Sequence, residues 1–283
     1  MLKNIACFGV AGNFTGHLEQ AGEAESFSSV KTSEETEPKA IFPTFIPSDS
    51  KIVPDFLKIF PFSSEKIIYP ENETKLQIEP ECAVLFNAEW KDGKIKNLFP
   101  LSFGASNDCS IRKDGAKKIS EKKNWGKETK GLSSNMILLD DFSENSKLYD
   151  YRIASFLLRD SNVFEYGENS FVKNYNYIWK KLTLWLIEKF NSQKDEGPKE
   201  NIHEYLKEAS FPEKILVSIG ATRYTEFGER NFLKKNDEAV VVLYPDSKYC
   251  EEEIIQKVKQ RDFSDSEISF LVQKICEKNH NLS

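Results

Sequence analysis

No apolar run in the 283-residue sequence approaches the roughly 20 residues that cross a membrane. The amino terminus, MLKNIACFGVAGNF, lacks the long apolar core and small-residue cleavage site of a signal peptide. Five cysteines (Cys7, Cys82, Cys109, Cys250 and Cys276) form no Cys-x-x-Cys pair and no metal-ligand spacing. They read as reduced thiols of a cytoplasmic protein. A basic surplus is also missing. The formal net charge is −6, which gives no electrostatic footprint for a nucleic acid. Histidine is scarce, with three in the chain, so each is conspicuous. What the chain does have is aromatic residues: 21 Phe and 10 Tyr support an aromatic-rich core.

KNIACFGVAG reads as a short buried strand ending in a glycine-rich turn. NFTGHLEQAGEAESF fits a loop or a loose helix, and residues 26–40, without periodicity, read as a mobile surface loop. AIFPTFIP, broken by Pro43 and Pro47, is extended but irregular. Strands are expected at 64–69, 75–87, 99–106 and 150–160, and buried strands at KILVSIGA and EAVVVLYP. The polar, lysine-rich stretch 113–131 reads as a flexible loop placed to cover a site. Apolar residues at 178, 182, 185, 186 and 190 predict a helix over 174–191, with Trp179 and Trp185 in its core face. SDSEISFLVQKICEKN opens with a capping box, Ser264 to Glu267, and its apolar residues at 268, 271, 272 and 275 predict a helix. The fold class is mainly β with helices (α+β). The pattern itself offers no boundary clean enough to divide the chain.

The stretch IEPECAVLF carries Glu79 and Glu81, which share one face of a strand. Like charges at that distance repel, and burial raises the cost. Such a pair can face solvent, act as acid and base, or hold a hard cation. Pro80 between them removes a ladder donor and marks an edge or bulge, where sites often lie. Downstream, SNDCSIR places Asp108, Ser110 and Arg112 at strand spacing. Three carboxylate ligands with open positions suit Mg²⁺ or Mn²⁺. A central cation would also remove the repulsion.

The order of motifs resembles the fumarylacetoacetate hydrolase superfamily, in a divergent, bacterial-type form. GVAGNFTGH matches its glycine turn and Asn-aromatic-x-x-His motif. PKAIFPTFIP matches its Pro- and Phe-rich stretch, and YPENETKLQIEPECAVLF its Glu-x-Glu strand. NDCSIR matches Asn-Asp-x-Ser-x-Arg, KNWGKETKGLSS the lysine-bearing loop, and ILVSIGATRY with FLKKNDEAVVVLYP the glycine turn and closing strand. The resemblance spans about residues 5–245 and implies a mixed β-sandwich or β-roll, with a catalytic domain over 1–245 and a helical extension over 246–283 beyond the family pattern.

It implies that Glu79, Glu81 and Asp108 bind a divalent metal, Mg²⁺ or Mn²⁺ with Ca²⁺ also open. It implies a metal-dependent hydrolase or decarboxylase of a small oxo or diketo acid, cleaving a C–C bond through a stabilised enolate. His17 becomes the lid histidine that activates water, oriented by Glu19 or Glu23. Lys130, with Lys127 as competitor, becomes the site lysine. Arg112, Ser110, Asn13 and Thr222 become substrate-binding candidates, with Ser110 and Asn107 also shaping the turn. The implied partners are a small oxo acid and a second copy in a homodimer, with no nucleic acid and no membrane. Three departures stand out. The family's Gly-Thr-Pro turn reads Gly220-Ala221-Thr222, the lid glutamate is replaced by Gln20, and the motif after the site lysine reads GLSSNMILL. The alternatives are a metal-binding scaffold without catalysis, or an isomerase or hydratase on the same site.

Overall fold

The computed structural model describes residues 4–28, 30–113 and 115–278. The chain begins β1 (Ala6–Ala11), α1 (His17–Gln20), β2 (Ala40–Phe45), β3 (Phe62–Ser63), β4 (Lys66–Ile68) and β5 (Leu76–Gln77). It continues β6 (Pro80–Lys91), β7 (Lys94–Asn107), β8 (Ser110–Ile111), β9 (Lys130–Leu132) and β10 (Ile137–Leu138). Then come β11 (Tyr151–Arg159), β12 (Asn162–Phe171), α2 (Trp179–Ser192), α3 (Ile202–Glu208) and β13 (Lys214–Ala221). It ends α4 (Glu226–Arg230), β14 (Glu238–Pro245), α5 (Glu251–Gln260) and β15 (Ser269–Cys276).

Two curled sheets carry the architecture. One runs β2-β1-β13-β6-β7-β9-β3, with β10 added on β7; the other runs β12-β11-β14-β15-β4. The pair β5-β8 stands apart. The long β6–β7 hairpin turns at Asp92 and Gly93, both at positive φ, the two-residue turn that matches strand twist. The main core joins Val84, Phe86 and Phe103 of the first sheet to Val241 and Leu271 of the second, with Leu186 and Phe190 of α2. Helix α5 covers the outer face of the second sheet, where Ile254 and Val258 meet Phe156, Val240 and Val242. The mainly β, α+β class expected from the sequence is the one observed.

Several local expectations differ. The strand over 75–87 is interrupted at Ile78 and Glu79, and Pro80, with no N–H to give, opens β6. Helix α2 starts at Trp179 rather than 174. Asn13 is the cause: its main-chain and side-chain oxygens accept from the N–H groups of Asn176 and Tyr177, which keeps that stretch out of the helix. The stretch from Ser264 onward is not helical; it forms β15, between β14 and β4. Ile268, Ser269, Phe270, Leu271, Gln273 and Ile275 are all buried there, and a strand buried on both faces mimics helical periodicity. The "extension" after residue 245 therefore supplies an inner strand of the second sheet. Strand β12 follows the 150–160 strand without having been expected.

Candidate metal centre

Glu81 lies on β6, opposite Ser106 of β7 and Ala221 of β13. The β13 register breaks between Ser218 and Ala221, and Gly220 there has φ +120°, a conformation open to glycine and few others. That break turns the Gly220 N–H onto Glu81 Oε2 at 2.9 Å. Glu79 sits one residue before β6. Its N–H donates to Asn107 Oδ1 at 3.1 Å, and its carbonyl accepts from Asp108 N–H at 3.0 Å. The strand ends thus bring Glu79, Glu81 and Asp108 together. Ligand oxygens of the three lie within 4.8 Å of one another, and all three residues are buried.

Cations crowd two of the three acids. Arg112 Nη2 lies 2.7 Å from Glu79 Oε1. Lys123 Nζ lies 2.5 Å from Glu79 Oε2 and 2.9 Å from Asp108 Oδ2. Lys130 Nζ lies 3.0 Å from Asp108 Oδ1 and donates to the Cys109 carbonyl. Glu81 has no ion pair among the described residues. Burial, then Asp108 and Glu79, push its carboxyl well above the usual carboxylate range. Burial also opposes ionisation of Glu79, but Lys123 and Arg112 hold its carboxyl well below that range. For Lys123, burial opposes the charge, and Asp108, Glu79 and Glu23 more than restore it, raising its pKa. Burial lowers the Lys130 pKa despite Asp108.

The segment around α1 lies over this cluster. His17 is buried, its ring 5.3 Å from that of Tyr224. Burial is the largest effect on its imidazole and lowers its pKa, favouring the neutral ring. Its Nδ1 has no hydrogen-bond partner among the described residues. Glu79 and Glu23 line the same cavity as His17, and Glu23 is buried and held by Arg112 at 2.7 Å and Lys122 at 3.0 Å. Glu19 is exposed on α1, so of the two sequence candidates Glu23 is the one that faces the site. Gln20 explains its own substitution: its amide donates to the Tyr224 carbonyl at 3.1 Å and accepts from Tyr224 N–H at 2.9 Å. The following stretch also buries more than its sequence suggests. Phe27 packs with Leu18, Phe42 and Ile119, and Glu37 accepts from the Trp185 indole. A cavity of about 20 Å³ remains between His17, Glu23, Glu79, Glu81 and Lys123, room for a water-sized molecule.

The other sequence candidates divide. Lys130 is fully buried in the cluster and Lys127 is exposed, which decides between them. Arg112 reaches the cluster, but its guanidinium is already committed to Gln77, Glu23, Tyr224 and Glu79. Ser110 donates to the Asp108 carbonyl at 2.9 Å and so shapes the turn. Asn13 is engaged within the fold. Its amide donates to the carbonyls of Tyr177 and Ile219 and serves as an internal clamp. Thr222 is buried, and its hydroxyl has no partner among the described residues.

Sequence reasoning missed Lys123. It lay in the 113–131 stretch, expected to be a flexible loop, and looked like one solvated lysine among many. The structure ties that stretch down at its centre. Asn124 donates to the carbonyls of Thr44 and Ile59 at 3.0 Å each, and the Trp125 indole donates to Ile68 at 2.9 Å. The available signal was Asn-Trp among lysines, an anchor pair with no use in a solvated loop.

A family model described as a family of unknown function (DUF5718) matches residues 23–275. No curated protein matches the sequence. Solved structures do match in shape. Cg1458 with an inhibitor gives a TM-score of 0.55 at 14% identity, over 96% of this chain and 77% of that one. 2-Keto-3-deoxy-D-arabinonate dehydratase complexed with magnesium and 2,5-dioxopentanoate gives 0.54 at 15%, over 96% and 73%. A protein from Yersinia pestis CO92 assigned to the fumarylacetoacetate hydrolase family gives 0.53 at 10%, over 96% and 93%. At these identities the likeness is one of fold, and it is the fold the motif order implied.

Proposed function

Because the chain belongs to the family of unknown function DUF5718 and shares the fold of fumarylacetoacetate hydrolase family proteins, we propose a metal-dependent enzyme acting on a small oxo or diketo acid, by hydrolysis or decarboxylation of a C–C bond. The observation that carries this reading is the buried group Glu79, Glu81 and Asp108, with ligand atoms within 4.8 Å of one another. Its donors are all carboxylate oxygens, the set that suits Mg²⁺, Mn²⁺ or Ca²⁺. Glu81, buried without a cationic partner among the described residues, is the acid such an ion would discharge. A divalent ion held there supplies Lewis-acid polarisation of a chelating oxo acid. The dehydratase with the similar fold binds magnesium together with a dioxo acid, which supports the same pairing here.

The chain's own groups then have separable roles. His17, kept neutral by burial, accepts a proton from water as general base. Glu23 stands beside it. The Lys130 ammonium stabilises negative charge developing near Asp108. A cavity of about 20 Å³ is too small for an oxo acid, so substrate enters only when the α1 segment lifts, carrying His17 and Glu23 with it. A homodimer and a cytoplasmic location belong to the same proposal; no described helix is long and apolar enough to cross a membrane.

One observation favours a second reading, a scaffold without catalysis. Each guanidinium nitrogen of Arg112 already meets a protein group, Nε on Gln77, Nη1 on Glu23 and Nη2 on Tyr224 and Glu79, which draws it away from a substrate carboxylate. Turnover decides between the two. Small 2-oxo and 1,3-dioxo acids, oxaloacetate and acylpyruvates among them, are to be screened with Mg²⁺, Mn²⁺ and EDTA. The enzyme reading expects metal-dependent turnover that falls roughly 10²–10⁴-fold in His17→Ala. Turnover equal in His17→Ala would remove the base assignment, and no turnover of any such acid would favour the scaffold.

A further inference from the structure

We infer that Lys123 is a tethered cation that occupies the cation-binding position of the acid cluster, so that a divalent metal binds only by displacing it. The inference rests on the metal reading above and adds an intramolecular competitor to it.

The geometry is specific to this side chain. Lys123 Nζ makes close contacts to two different candidate ligands, 2.5 Å to Glu79 Oε2 and 2.9 Å to Asp108 Oδ2. Lys130 touches only Asp108 of the three acids, and Arg112 only Glu79. Lys123 therefore bridges the group from within, and Nζ also lies 5.2 Å from the centre of the Phe42 ring. Lys123 is the one cation among the described residues in reach of both Glu79 and Asp108, so an ion shared by Glu79, Glu81 and Asp108 competes with it for their oxygens. Ammonium and metal ion are alternatives there.

The fold presents this lysine deliberately. The turn Ile119–Lys122 precedes it, and Asn124 pins the next residue to Thr44 and Ile59. The main chain is thus held, and the ammonium can leave only by rotation of its flexible four-carbon stem. The remaining cavity of about 20 Å³ does not receive the withdrawn stem while the α1 segment is closed. Displacement of Lys123 and lifting of that segment are therefore one event. The segment's own Glu23 supports this link, because it is among the charges that hold the ammonium in place.

The test compares Mn²⁺ binding by calorimetry in the wild type and in Lys123→Met, which keeps the stem and removes the charge. The variant is expected to bind Mn²⁺ about tenfold more tightly or better, and its melting temperature to rise more with Mn²⁺ than that of the wild type. Equal affinities would overturn the inference and leave the metal reading standing. No binding by either protein would overturn the metal reading and the inference with it. Should Lys123→Met fail to fold, the wild type answers alone. With lysine side-chain nitrogens labelled, one slowly exchanging ammonium should become fast-exchanging as Mg²⁺ binds. Mg²⁺ binding with every buried ammonium still protected would overturn displacement.

Discussion

Glu81 stands without an ion pair among the described residues, while Glu79 meets Arg112 and Lys123 and Asp108 meets Lys123 and Lys130. Glu79, Glu81 and Asp108 could be named from the sequence because strand spacing and the Asn-Asp-x-Ser-x-Arg match point to the same atoms. The internal bonds of Asn13 are not legible in this way, because a motif says that an asparagine belongs there without saying which way its amide points. Lys123 was invisible for another reason: a lysine among lysines carries no periodicity. Glu200 lies one contact away from the turn that precedes Lys123. It is buried and accepts from Ser120, within the turn that presents Lys123. Burial is the main cause that raises its pKa to about 8. The native state therefore keeps a proton that the unfolded chain loses above the ordinary carboxylate range. Fewer protons in the unfolded state make stability fall as pH rises. Across pH 5 to 7 the wild type should lose about 1.4 kcal/mol per pH unit relative to Glu200→Gln, which has no such proton to keep. Chemical denaturation of both proteins at several pH values reads this directly; a gap independent of pH would show that Glu200 ionises normally.

At the scale of elements, the α1 segment and β15 carry the lessons. The sequence around α1 offers few apolar residues and several glycines, and so reads as a loop. What fastens it is long-range and polar: Gln20 on Tyr224, and Glu37 on the Trp185 indole. Local pattern cannot reveal such bonds. Strand β15 was misread because both of its faces are buried. Ser269 donates to the Asn135 carbonyl and accepts from Ala105 N–H, while Gln273 bonds Asn107 and the Lys130 carbonyl. Those polar contacts between the sheets are what a helix could not supply. The Gln20 clasp makes a prediction. Gln20→Ala removes the two hydrogen bonds to Tyr224, about 1 kcal/mol each, and a long exposed one to Glu229, so opening of the segment should become roughly thirtyfold more frequent. Hydrogen exchange at the Ala21 amide, which bonds His17 within α1, should accelerate accordingly. Unchanged exchange there would mean that the clasp does not hold the segment.

For the whole molecule, two sheets and one hairpin converge on a single buried charge cluster. The first sheet supplies Glu81 and the loop ends that carry Glu79 and Asp108. The second sheet braces them through Gln273, which bonds the Asn107 amide at 3.1 Å while Asn107 holds the Glu79 N–H. So much buried charge is costly unless it is paired, and here every acid of the triad but Glu81 has a cation beside it. That residual imbalance is what a bound cation would relieve. The most direct measurement is an anomalous difference map from crystals equilibrated with saturating Mn²⁺. One peak is expected, bounded by Glu79, Glu81 and Asp108, with the Lys123 ammonium moved away from it. A map with no peak there, and with Lys123 still bridging Glu79 and Asp108, would contradict it.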